Sequence, residues 1–177
     1  MGQYYLTVNI DKKQYLNPHA FGDGLKLLEF ACSGRGTMMA LGVLLADGNN
    51  RGGGDLHSDA PAIGSWAGDR IVVAGDYADG GSFVDAPVEE LTQIAKDHYT
   101  VGHQDPKNVT LYALASETYE DISAKIMAVL MEDSWIRGDL EEAAAKTYEG
   151  SPFEKAYAEA RELYKAGQGE EEKESSK

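Results

Sequence analysis

The sequence holds one cysteine, Cys32, in 177 residues, and a lone thiol excludes an internal disulfide. It opens on MGQYYLTVNIDKK, without the basic-then-apolar layout of a secretory signal. Both observations predict a protein of the reducing cytoplasm. Long apolar runs are missing as well. The longest, residues 38–46, falls well short of the roughly 20 residues that a membrane-spanning helix needs. Leu6 stands where a myristoylation motif wants Ser or Thr, so lipidation at Gly2 is excluded.

Basic residues are scarce: 16 Lys and Arg face 30 Asp and Glu, for a formal net charge of −14. Such a chain repels phosphate backbones and anionic lipids, which argues against nucleic-acid or membrane binding and favours a protein partner that is itself basic. The same charge also serves plain solubility. It is unevenly placed, because residues 82–177 carry twenty-one acids against ten bases.

Complete catalytic and cofactor motifs are absent too. There is no Walker loop, no Gly-x-Gly-x-x-Gly fingerprint and no Gly-x-Ser-x-Gly elbow, and the four histidines lack the spacing of a zinc-protease helix. Asp76, Asp79 and Asp85 do not follow an EF-hand pattern. No cofactor and no metal are predicted, and no residue is assigned a catalytic role.

What is present is an ordinary globular composition, 42% hydrophobic and 26% charged, in a length that suits one domain. Fifteen of the 20 glycines precede Ser82. The chain divides into a glycine-rich strand and loop region, residues 1–81, and a helix-rich region, residues 82–166. Residues 167–177, without apolar side chains, read as a disordered acidic tail. The predicted class is α+β: a small mixed or antiparallel sheet from the first half, packed with helices mainly from the second.

Residues 3–9 and 14–16, rich in aromatic and β-branched side chains around Asp11-Lys12-Lys13, predict a hairpin that Asn17-Pro18 ends. Residues 37–46 predict a helix, though a buried strand fits the same apolar run. Residues 69–74 read as a strand with the β-branched content of a central position. Pro87-Val88-Glu89-Glu90 starts a helix that runs to about Lys96. Residues 108–114 read as another strand, and residues 119–132, 140–148 and 152–165 as helices.

Candidate binding residues cluster where charge and glycine meet. Arg51 and Asp55 close the RGGGD loop, whose bare amides resemble an anion nest. Trp66, Asp69, Arg70, Asp76, Tyr77 and Asp79 punctuate residues 64–81. Trp66 and Tyr77 fit either a core or a binding patch, with core packing the first reading. Asp76 and Asp79 also fit turn residues that bond backbone amides.

The blocks MGQYY, FGDGLKL, RGGGD and GSWAGDRIVVAGDY resemble a group of short bacterial and phage-encoded proteins that share them. The resemblance spans about the first 80 residues and brings no catalytic residue with it. It implies a protein that binds a host protein, including host defence machinery, in the manner of acidic inhibitors that occupy basic channels. The alternative is a small-molecule or nucleotide-binding protein, or a hydrolase, using the loops at residues 51–55 and 64–79.

Overall fold

Alternation along Tyr5-Leu6-Thr7-Val8-Asn9 places Leu6 and Val8 on one side of a strand and Thr7 and Asn9 on the other. That strand is β1 (Tyr5–Asn9), and it pairs antiparallel with β2 (Gln14–Leu16). The Asn9 side chain accepts the Lys12 amide (2.9 Å), which closes the turn between them. The computed structural model describes residues 2–32, 34, 36–47, 56 and 62–174, with side chains to residue 168.

Two short helices follow, α1 (Leu27–Ala31) and α2 (Thr37–Leu45). The Asp23 carboxylate accepts both the amide and the hydroxyl of Thr37, each at 2.8 Å, and so caps the first turn of α2. Strand β3 (Ile71–Gly75) pairs antiparallel with β1. The helices α3 (Val88–Asp97) and α4 (Leu111–Thr118) precede a two-residue strand, β4 (Glu120–Asp121), which pairs parallel with β2. Then come α5 (Ser123–Leu130), α6 (Ser134–Lys146) and α7 (Pro152–Glu174). The fold is α+β, and its mixed sheet has the order β3-β1-β2-β4.

This sheet separates two apolar clusters. Leu6, Val8 and Ala74 pack against Leu111, Tyr112 and Ala115 of α4. On the opposite face Leu16 joins Trp66, Ala40 and Leu44 of α2, and the inner faces of α5 and α7. A third cluster, with Ile94, Ala95, Val109 and Leu114, locks α3 onto the far side of α4.

Four expectations need correction. Residues 108–114 form no strand: Thr110 accepts the Ala113 amide through its hydroxyl (3.2 Å) and starts α4. Leu111 to Ala115 are all buried because α4 lies between two clusters, and that all-round apolarity mimics a strand. Strand β3 is at the sheet edge, not central, and Val73 is 42% exposed. Glu120-Asp121 leaves the expected helix at 119–132 to add a sheet strand drawn from the second half. Finally, α7 continues to Glu174, through most of the segment expected to be a disordered tail.

Candidate functional site

Of the eight residues singled out from the sequence, Arg51 and Asp55 lie outside the described residues. Trp66 is fully buried, and its indole N–H donates to Gln14 Oε1 (3.0 Å). It is a core plug beneath the sheet. Asp69 accepts from Asn9 Nδ2 (2.8 Å) and Lys12 Nζ (2.6 Å). Arg70 donates to Asp11 Oδ1 from Nη2 (2.6 Å) and Nε (2.8 Å), while its backbone amide donates to Asp11 Oδ2 (2.7 Å). These hydrogen bonds and the neighbouring cations hold the Asp11 and Asp69 carboxyls below the usual carboxylate range. Both pairs tie the β1–β2 turn to the start of β3, so they brace the hairpin.

Asp76 sits beyond the other end of β3 and is buried, 1% exposed. Asp69 and Asp76 therefore share no site. Tyr77 and Asp79 project to solvent after it. Among the described residues no three His, Cys, Asp or Glu side chains converge as a metal ion would require.

The surroundings of Asp76 follow from strand register. Because Tyr5 faces Gly75, Tyr4 faces Asp76. The Asp76 amide donates to the Tyr4 carbonyl (2.9 Å), and the Tyr4 amide donates to Asp76 Oδ1 (2.9 Å). Alternation puts the Asp76 side chain on the α4 side of the sheet. Its other oxygen, Oδ2, is buried with no hydrogen-bond partner, which costs about 1–3 kcal/mol in a folded protein.

A ring stack stands beside this carboxylate. Tyr99 stacks on His98, with ring centroids 5.1 Å apart, and His98 meets Tyr112 edge-on at 6.0 Å. Burial, then the Asp76 charge and the Tyr77 and Tyr4 phenols, raise the Tyr99 pKa. Burial first, and Tyr99, Asp76 and Tyr4 after it, push Tyr112 up to about 12. One neighbourhood thus contains a sunken carboxylate and three exposed tyrosines, Tyr4 at 39%, Tyr77 at 54% and Tyr99 at 74%.

His98 is held as a neutral ring. The Ser116 hydroxyl donates to the Ala113 carbonyl (3.1 Å), which leaves its oxygen to accept from Nε2–H of His98 at 3.2 Å. Nδ1 then accepts from Thr100, whose hydroxyl is at 2.8 Å and whose amide is at 3.4 Å. A second proton on Nδ1 would confront these donors. Burial lowers the His98 pKa from 6.5, and the charges of Glu117 and Asp76 only partly oppose it.

The sign of the resulting pH dependence is definite. Below pH 6.5 the unfolded chain takes up a proton that the fold refuses, so stability falls as pH drops through this range. Thermal unfolding should show a loss of melting temperature between about pH 7 and pH 5, and His98→Gln should flatten that portion. The paired carboxylates contribute only at lower pH. An unchanged slope in the variant would remove His98 as its source.

Arg70 also borders a cleft of about 360 Å³ with Asp11, Lys13, Phe83 and Asp85. Phe83 has a left-handed backbone (φ 60°), which is uncommon for a bulky residue. The sequence reading missed His98, Tyr99 and Tyr112 as neighbours of Asp76. No local pattern joins them, because only the packing of α3 on α4 and of α4 on the sheet brings them together. Compared with known protein families, curated proteins and solved structures, the chain matches none.

Proposed function

We propose that this chain is an acidic binding protein of the cytoplasm whose partner is a basic protein surface, in the manner of an inhibitor occupying a channel built for nucleic acid. The observation that carries this reading is the display of the excess charge. Glu89 and Asp97 on α3, Glu117 on α4, Glu141 on α6 and Glu159 on α7 are all exposed, in a chain of net charge −14. Among the described residues no helix is long and apolar enough to cross a membrane. The resemblance to phage-encoded proteins supports a host complex as the target.

The small-molecule alternative rests on the cleft beside Arg70. There Nε and Nη2 of the guanidinium are already committed to Asp11, which favours the protein-binding reading.

Electrostatic association has a direct test, because exposed charges are screened within about 10 Å at 0.1 M salt. Immobilised protein should retain a basic partner from bacterial lysate at about 50 mM salt and release it at about 500 mM. Glutamine at positions 89, 117, 141 and 159 should weaken retention. Equal retention by this variant, or retention that ignores salt, would sink the electrostatic reading.

A further inference from the structure

We infer that Tyr4, Tyr77 and Tyr99 form a receptor for an arginine side chain of the partner, with Asp76 as the fixed negative charge beneath it. This inference rests on the protein-binding reading and names where and how the contact is made. Three features support it independently of total charge.

The first is the aromatic surface itself. Tyr77 and Tyr99 expose 54% and 74% of their area although each adjoins a packed element. Tyr99 already spends one face on the His98 ring. Large amphipathic rings with little rotamer freedom are the usual anchors of protein contacts. Their faces carry negative potential, so they attract cations as well as apolar groups.

The second is Asp76. Its backbone and Oδ1 are locked to Tyr4, while buried Oδ2 lacks a hydrogen-bond donor. A carboxylate kept 1% exposed with one oxygen unsatisfied is not explained by packing alone. In a surrounding of low dielectric its charge reaches further than that of a surface acid.

The third is that no cation is paired with it among the described residues. No described salt bridge involves Asp76, and its strand neighbours and the rings of His98, Tyr99 and Tyr112 carry no positive charge at neutral pH. In the proposal the matching cation is the partner's arginine. A guanidinium suits this place better than an ammonium, because it is planar, weakly hydrated and stacks on aromatic faces while retaining in-plane donors.

The proposal is tested with the full chain and a blocked peptide, acetyl-Gly-Arg-Gly-amide, beside its citrulline counterpart, which keeps the shape and loses the charge. Amide shifts on titration should concentrate at residues 76–78 and 98–100 for the arginine peptide, with binding roughly tenfold weaker for citrulline. The double substitution Tyr77→Leu and Tyr99→Leu should cost a similar factor, whereas the Phe pair should retain binding because the ring faces remain. Since both residues are exposed, the variants are expected to fold, and their melting temperatures check this.

Equal binding of both peptides, shifts spread evenly over the acidic helices, or full binding by the Leu pair would each overturn the proposal. The two readings fail separately. If the Leu pair still retains the basic partner at low salt, the receptor is wrong and the acidic binding surface stands. If the arginine peptide binds as expected while no partner is held, the receptor stands and the broader reading falls.

Discussion

Trp66→Ala is expected to lower the unfolding free energy by about 3–5 kcal/mol. The indole is fully buried in the larger apolar cluster, between Leu16 of the sheet and the inner face of α2. Its removal leaves a cavity walled by elements that are themselves anchored: the backbone amide of Trp66 donates to Leu44 O (2.9 Å), and Gly64 N donates to Val43 O (2.9 Å). The walls therefore have little room to collapse. The change also takes away the hydrogen bond to Gln14 Oε1. Trp66→Phe keeps most of the volume and should cost less than half as much.

Urea unfolding followed by far-ultraviolet circular dichroism measures both variants without relying on the residue that is changed. In a Trp135→Phe background, emission reports Trp66 alone and should be blue-shifted in the native state. A loss below about 1 kcal/mol for Trp66→Ala would show that the indole is not a core plug, and would restore it as a candidate contact residue.

Gly80→Ala comes next in size. A methyl group there would lie 2.4 Å from the Lys107 carbonyl oxygen, 2.5 Å from Asn108 Cα and 2.8 Å from its carbonyl carbon. These are backbone atoms, so no side chain can swing aside. The adjacent Gly81 has φ 78° and donates its amide to Val109 O (3.0 Å), which fixes the two segments against each other.

Relief requires moving residues 107–109, directly before the Thr110 cap of α4. The expected cost is about 1–3 kcal/mol, with valine worse than alanine. Gly138→Ala is the control, because its added methyl meets nothing within 4 Å and lies inside α6. That change should raise stability by about 0.5–1 kcal/mol. Thermal melts of the pair should move in opposite directions, and a neutral Gly80→Ala would contradict the close approach.

Local signals made much of this fold legible. The hairpin announces itself through alternation around a polar turn, and α3 through Pro87 followed by Glu89 and Glu90. Residues 108–114 misled because Val109, Thr110 and Leu111 have strand propensity, while the cap that starts α4 is one hydroxyl. Propensity yielded there to burial on two sides.

The candidate site was half legible. Glycine beside charge singled out the stretch from Trp66 to Asp79, and the surroundings of those residues differ along it. Asp69 and Arg70 serve the hairpin, Trp66 serves the core, and only Asp76 and Tyr77 reach the aromatic neighbourhood. His98 and Tyr99 stand more than twenty residues away in sequence, at the end of a helix whose own pattern explains only its packing. Their relation to Asp76 exists in tertiary structure alone.

The pairing of β2 with β4 bears on the order in which the molecule can assemble. Gln14 bonds Glu120 through its side chain (2.8 Å), Lys13 O accepts the Glu120 amide and Tyr15 O accepts the Ile122 amide. During synthesis β1, β2 and β3 emerge early, yet one edge of β2 and the face carrying Leu6 and Val8 wait for residues 111–122, while the opposite face, lined by α2 and Trp66, is completed only by α5 and α7. Closing so long a loop precedes the contacts that reward it. Until then the emerging chain holds an unfinished sheet with an open edge and a bare apolar face, a state in which chaperones and aggregation compete.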